Sequence, residues 1–394
     1  MIKIAIKYAI RNDIVERHWK WMKKRFGIDN PRPCGTAEKR KKKLYDLLGF
    51  KDDCEFEKLI KADFSKLEKY AKKNEWQKYT VIPNDADCNA YKDIKRKIAA
   101  LEKQKKNSNP PNNLLDVQIK AKKQEILKYQ NIIDRETISS CLGYDSFKDD
   151  EVWEKGKKIK SAESWGGYDY CLALDLKVCP YCNREYINTV DRIKLDQDTE
   201  LKGVRPDFDH FFPESKYPFL SCSIFNLIPA CKFCNQLKGD KFSDGQLIYP
   251  FEEEFGEQGK FEIDFEKGKN IDTINIENDI NLKLNAMDDL SNPPSNRKKN
   301  KKSLIENSNQ AFHLIRIYNA HQDQIKDFVK RIRSLRGSGV KTYQSFDDEL
   351  LELYNRQSGS AKEYAKKILL GLPTDGQEYP LRKMKKDILD QVGM

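Results

Sequence analysis

Residues 179–186 read CPYCNREY, residues 206–220 read PDFDHFFPESKYPFL and residues 226–240 read NLIPACKFCNQLKGD. Two Cys-x-x-Cys pairs, Cys179/Cys182 and Cys231/Cys234, bracket an adjacent Asp209-His210; Asn226 precedes the second pair and Asn235 directly follows it. A Cys-x-x-Cys pair can bite one metal ion, and two such pairs complete the tetrahedron that zinc takes in structural sites. The inner cysteines are separated by 48 residues, so the metal is expected to close a small subdomain rather than a compact ribbon. An iron–sulfur cluster or a redox pair is the alternative use of the same thiols. Cys222 lies between the pairs without a Cys-x-x-Cys partner. It reads, with Cys34, Cys54, Cys88, Cys141 and Cys171, as a small core residue or free thiol.

Between the pairs, VRPDFDHFFP (204–213) has the alternation of a β-strand. Neighbours on a strand point to opposite faces, so a site that uses both Asp209 and His210 needs a strand end or a bulge. CKFCNQLKGD (231–240) reads as a short helix in which Asn235 would be held in place by metal-bound Cys234. Phosphodiester hydrolysis needs a base near neutral pH, a divalent cation to offset charge on the phosphate and leaving oxygen, and oxygen ligands for that cation. His210, Asp209 and Asn235 are residues of those types. Asn226 need not touch substrate; its amide would tie the NLIP loop to the strand and aim His210.

The pattern Asp-His, then Asn, then Cys-x-x-Cys-Asn, flanked by a further Cys-x-x-Cys, resembles the HNH endonucleases of the ββα-metal (His-Me finger) superfamily. The resemblance covers roughly 65 of 394 residues. It implies that Asp209 and Asn235 bind a catalytic Mg²⁺ or Mn²⁺, that His210 is the general base, and that Asn226 orients it. It implies a structural Zn²⁺ on Cys179, Cys182, Cys231 and Cys234, and cleavage of DNA, double-stranded by expectation, to 5′-phosphate and 3′-hydroxyl ends. The third position of the motif is Asn here rather than His, which softens a transition-metal preference. Arg205 and Lys238 are expected phosphate contacts. More loosely, the chain is similar to HNH effector nucleases of bacterial anti-phage systems of the Septu (PtuB-like) and retron-associated type, in which a separate ATPase controls the nuclease. No G-x-x-x-x-G-K-[ST] loop occurs in this sequence, so ATP use would come from such a partner. The rival expectation is a zinc-stabilised module that binds nucleic acid or a protein without cutting.

The formal net charge of +11 favours a polyanionic partner. Residues 1–80 hold 22 Lys/Arg against 12 Asp/Glu, whereas residues 250–295 hold 4 Lys against 12 Asp/Glu. No apolar run is long enough to span a membrane. The N-terminal MIKIAIKYAIRND is broken by Lys3, Lys7 and Arg11, so no signal peptide is expected. Ten cysteines without a secretory signal suit a reducing, cytoplasmic setting.

The expected class is α+β: a mainly helical chain with a central zinc-stapled ββα module and a few short strands after it. Residues 1–88 read as a basic helical region, with helices over 15–26, 38–50 and 55–73. In the first, Val15, Trp19, Met22 and Phe26 recur at helical spacing, and His18 falls on the basic, exposed-looking face. Residues 89–135 read as a helical hairpin turned by NSNPPNN (107–113). It serves either as scaffold or as an arm gripping nucleic acid or a partner. The nuclease module is placed at 136–245. Residues 246–295 form an acidic region with strands in LIYPFEEEF, KFEIDFE and DTINIE, ended by SNPPSN (291–296) and the basic block RKKNKK (297–302). Residues 296–394 are expected to be helical over 299–335, 345–370 and 380–392. His313 and His321 read as packing or solvent residues of the first of these helices.

Overall fold

Several helices begin where a short polar side chain can satisfy an open backbone N–H. Asp52 accepts from the Glu55 N–H at 2.8 Å, Asp63 from Lys66 at 3.1 Å and Asn84 from Asp87 at 2.8 Å. The computed structural model describes residues 1–30, 35–108, 113–149, 165–191, 203–242, 245–278, 280–288, 301–336, 370–372 and 379–393. It also gives the backbone of four short strand segments between 152 and 201 and two isolated positions, 359 and 367. Cys34, most of the NSNPPNN linker, SNPPSN, most of RKKNKK and nearly all of the helix expected at 345–370 lie outside the described residues.

The chain runs α1 (Tyr8–Phe26), α2 (Gly35–Leu48), α3 (Asp53–Ile60), α4 (Phe64–Ala71), α5 (Asp85–Asn107), α6 (Asn113–Glu125), α7 (Gln130–Leu142) and α8 (Tyr144–Lys148). It continues with β1 (Val152–Glu154), β2 (Lys157–Ile159), α9 (Gly167–Leu174), β3 (Ile193–Lys194), β4 (Glu200–Leu201), β5 (Asp207–His210), β6 (Leu227–Ala230) and α10 (Lys232–Lys238). β7 (Gly259–Ile263), β8 (Leu282–Ala286), α11 (Lys301–Phe312), α12 (Leu314–Asn319), α13 (Gln322–Arg336) and α14 (Arg382–Gln391) follow. The class is therefore α+β, mostly helical, with strands in two-stranded pairs: β1 with β2, β3 with β4, β5 with β6, β7 with β8. No described helix is long and apolar enough to cross a membrane.

Two compact units share this chain, interleaved in sequence. One comprises Lys7–Ala173 and Asp209–Ile228; the other comprises Met1–Ile6, Leu174–Phe208 and Pro229–Met394.

The first unit is built on aromatic packing. Trp19 and Phe26 of α1 meet Phe56 of α3, with ring centroids 5.8 and 4.8 Å apart. Trp76 meets Phe219 at 4.8 Å and donates its indole N–H to the Leu48 carbonyl. The single helix expected over 55–73 is two helices, because Asp63 caps a new start at Phe64. The hairpin of 89–135 is present as α5 and α6. Its second arm tightens into a 3₁₀ turn at Ile126–Tyr129 and runs on as α7 to Leu142.

The exposed placement of His18 is corrected: it is fully buried, and Val15 is only half-buried. The Trp165 indole, a donor only, gives its N–H to His18 Nδ1 at 3.1 Å. His18 Nε2 therefore carries the proton and donates to the Cys222 carbonyl at 2.8 Å. Burial pushes its pKa down to about 4. Below the ordinary value of 6.5 the unfolded chain takes up a proton that the folded chain refuses, so stability falls as pH drops from 6.5 towards 4 and is flat above. We expect about 2 kcal/mol less stability at pH 5 than at pH 7 from this residue, read in urea midpoints. His18→Gln should lose that part of the pH dependence; an unchanged slope would refute it.

At Gly143 the backbone is left-handed, with φ +76°, where α7 ends. A Cβ there would land on the Arg25 guanidinium, which donates to the carbonyls of Cys141 and Ser140 at the same helix end. Gly143→Ala combines an αL penalty with loss of charged hydrogen bonds, about 2–4 kcal/mol together. Chemical denaturation should show it as a lower midpoint with an unchanged slope.

In the second unit, β7 and β8 pair antiparallel, Phe261 opposite Leu284 and Ile263 opposite Leu282. Side chains close both edges of this ribbon. Asp387 and Gln391 of α14 accept from the N–H groups of Phe261 and Ile263, each at 2.9 Å. Asn319 and Gln322 accept from Leu282 and Ile280, each at 2.8 Å. Strands expected in LIYPFEEEF and DTINIE are absent; KFEIDFE supplies β7, and its partner is the 282–286 segment. The helix expected over 299–335 breaks at exposed His313, whose φ is +50°. The break turns Leu314 and Tyr318 inward along with Phe312, Ile325, Phe328, Val329 and Ile332.

Candidate functional site

The four cysteines of the second unit meet. Their sulfurs all lie within 4.8 Å of one another, and all four side chains are buried. Cys182 and Cys231 Sγ are 3.9 Å apart. That is far beyond a disulfide bond and close to the edge, about 3.8 Å, of a tetrahedron of sulfurs 2.3 Å from one ion.

Local sequence shapes each half. In CPYCN, the Cys179 N–H donates to the Glu185 carbonyl at 2.9 Å and the Asn183 N–H to the Cys179 carbonyl at 2.8 Å. The turn closes through Asn183 at φ +50°, a region that Asn tolerates. In the other half, Cys231 is the N-cap of α10, its sulfur accepting from the Cys234 N–H at 3.5 Å. The Cys231 N–H donates to Cys179 Sγ at 3.4 Å. Such N–H donors favour thiolates.

The surroundings lock the first half. Tyr318 donates its hydroxyl to the Cys182 carbonyl at 2.5 Å, and Tyr181 stacks on Phe312 at 4.3 Å. Asn183 Oδ1 accepts from the Lys383 N–H at 3.0 Å, its carbonyl accepts from Leu381 at 2.6 Å, and the Ile2 N–H reaches the Pro180 carbonyl at 3.0 Å. The supporting roles of Asn183 and Tyr318 were not read from the sequence. The only local signal was the Asn directly after a Cys-x-x-Cys.

Among the thiols themselves protons are shared unevenly. Burial pushes Cys179 well up, hydrogen bonds to Cys179 do the same for Cys234, and hydrogen bonds from its neighbours hold Cys182 well below the ordinary thiol value. Four buried sulfurs this close cannot all ionise without a cation, and a soft dication removes that conflict. The donor set therefore fits a closed, four-coordinate metal site, with no side open to a substrate.

The Asp-His pair lies in the other unit. Asp209 and His210 end β5, with Asp209 buried and His210 half-buried. His210 Nε2 is 3.0 Å from the Ser221 carbonyl. A carbonyl only accepts, so the neutral imidazole carries its proton on Nε2 and its lone pair on Nδ1. The Tyr144 ring packs edge-on against the imidazole at 4.5 Å.

Asn226 is fully buried and spends its amide on the same loop. Its Oδ1 accepts from the Phe212 N–H at 2.8 Å; its Nδ2 donates to the carbonyls of Phe212 at 3.1 Å and Leu220 at 3.0 Å. It thus holds the ends of the 212–220 loop together, directly beside the Ser221 carbonyl that orients His210. Tyr144 and Ser221 act on His210 from outside the motif. No sequence signal pointed to either.

Asn235 is half-buried on α10 in the second unit, with its N–H donating to the Cys231 carbonyl at 3.1 Å. The half-buried Arg205 lies over the Phe208 ring at 4.7 Å and donates to the Pro206 carbonyl at 2.7 Å. Lys238, expected to meet phosphate, is fully buried and has its partners within the chain. Compared with family models, curated proteins and solved structures, the chain finds no match.

Proposed function

We propose that the chain is a metal-dependent endonuclease of the ββα-metal (HNH) type that hydrolyses DNA phosphodiester bonds, with Zn²⁺ in the four-cysteine cluster holding the fold. The reading rests chiefly on His210, an imidazole set in one tautomer by the Ser221 carbonyl. It stands on the first strand of a strand–strand–helix order, β5, β6, α10, with two short 3₁₀ turns, Pro218–Leu220 and Ile224–Asn226, between the strands.

In that reading, His210 Nδ1 takes the proton from the attacking water. The Ser221 carbonyl keeps the other nitrogen protonated and stabilises the imidazolium that forms. Asn226 keeps that carbonyl in place by binding Phe212 and Leu220. The resemblance alone assigns Asp209 and Asn235, residues with oxygen donors of the kind that hold Mg²⁺ or Mn²⁺, to an ion that would offset charge on the phosphate and the leaving oxygen. Arg205, not buried Lys238, is the phosphate contact. Control by a separate ATPase in anti-phage defence belongs to the same proposal and rests on the resemblance alone.

The test is cleavage of supercoiled plasmid and of single-stranded DNA by the purified chain in Mg²⁺, Mn²⁺ or EDTA, beside His210→Ala. Metal-dependent nicking that disappears in the variant supports the reading. DNA binding without cleavage, in every divalent metal and with host extract added, supports the binding-module alternative instead.

A further inference from the structure

The long helix α5 carries charge that the nuclease reading does not use. Only Tyr91 and Ile94, both in its first half, are buried; from Lys95 to Asn107 no residue of α5 is. In α6, which packs along it, only Ile119 is buried. The distal hairpin is thus a two-helix arm that other chain segments leave uncovered along most of its length.

Its charges sort by face. Lys95 pairs with Glu136, Lys97 with Asp93, Lys105 with Asp116, Lys122 with Glu125 and Lys123 with Glu102. Lys92, Arg96, Lys103 and Lys106 are exposed and form no ion pair among the described residues. At about 100° per residue these four fall within an arc of about 80°, on the side of α5 away from Tyr91, Ile94, Ile98 and Leu101. At 1.5 Å per residue they make a stripe about 21 Å long. Between Lys92 and Lys106 only Ala99 shares this arc, and no carboxylate falls on it there.

We propose that this face of α5 binds the phosphate backbone of duplex nucleic acid and holds it for the cleavage site. The stripe spans about six phosphates of one strand at 3.4 Å each. Unpaired cations release counterions on meeting a polyanion, whereas the ion-paired flanks gain little. An acidic membrane is the poorer occupant. A helix that lies on lipid sets large apolar side chains beside its cations, and between its cations this face offers only Ala99.

The holding role rests on the nuclease reading, but the test reads binding alone. A fluorescein-labelled 24-base-pair duplex is titrated with full-length protein by anisotropy, without added divalent metal, at salt from 50 to 250 mM. The Lys92→Gln/Arg96→Gln/Lys103→Gln/Lys106→Gln variant should bind about tenfold or more weakly near 150 mM salt. The slope of log K against log salt should fall by about 2–4. Lys20→Gln/Lys39→Gln/Lys42→Gln/Lys43→Gln, which removes the same charge from α1 and α2, should change both far less. The proposal is overturned if the wild-type chain does not bind the duplex. It is equally overturned if the α5 variant, folded by circular dichroism, keeps affinity and slope, or if both variants weaken alike. Loss of binding to phosphatidylserine vesicles with duplex binding intact would assign the stripe to lipid.

Discussion

Cys231→Ser is expected to abolish metal binding and unfold the second unit. A serine hydroxyl does not ionise near neutral pH, so the site loses one of four thiolates and keeps three buried sulfurs within 4.8 Å of one another. Apparent binding energies of structural zinc are about 10–16 kcal/mol in small peptides, as large as the whole stability of most domains, about 5–15 kcal/mol. The loss also spreads. With the turn at Cys179–Asn183 unsupported, the contacts of Pro180 with Ile2, Cys182 with Tyr318 and Asn183 with Leu381 and Lys383 go with it. Metal analysis by mass spectrometry should give about one zinc per wild-type chain and essentially none in the variant. Thermal unfolding should drop by about 15 °C or more, or the protein should be insoluble. A soluble Cys231→Ser protein with wild-type melting would remove the metal from the account of this fold.

His210→Ala should separate activity from stability in the opposite sense. If the chain is the proposed nuclease with His210 as its base, single-turnover cleavage should fall by at least about 10², the lower end of what general base catalysis contributes. The structural cost is small by comparison. The hydrogen bond to the Ser221 carbonyl and the edge-on contact with Tyr144 that the variant gives up are worth about 1–2 kcal/mol together. Zinc content should be unchanged, because the cysteines belong to the other compact unit. A pure variant that cuts at the wild-type rate would eliminate His210 as the base. A variant that loses both zinc and fold would show that the strand is structural.

The cation stripe of α5 was only half visible beforehand. The helical hairpin followed from its periodicity and its prolines. Which lysines are ion-paired became clear only when Glu136, Asp116 and Glu102 took their places on neighbouring turns and helices. The tertiary structure also moved Lys238 from an expected phosphate contact to a fully buried position.

What the amino-acid order determined by itself is what depends on a few neighbouring residues. The Cys-x-x-Cys turns, the strand through Asp209-His210 and the short helix from Lys232 are written within about five residues each. What only the tertiary structure decided depends on partners far along the chain. His18 looked like one more polar residue on a basic helix until Cys222, 204 residues away, and Trp165, 147 away, satisfied both its nitrogens and made burial tolerable. The partner of β7 lies at 282–286, outside the strands that alternation suggests, and the edge of that ribbon is held by Asp387 and Gln391, 126 and 128 residues from the N–H groups they cap. Hydrophobic periodicity records which face of an element is apolar. It does not record which distant polar group will complete a buried hydrogen bond, and in this chain those bonds decide what is core.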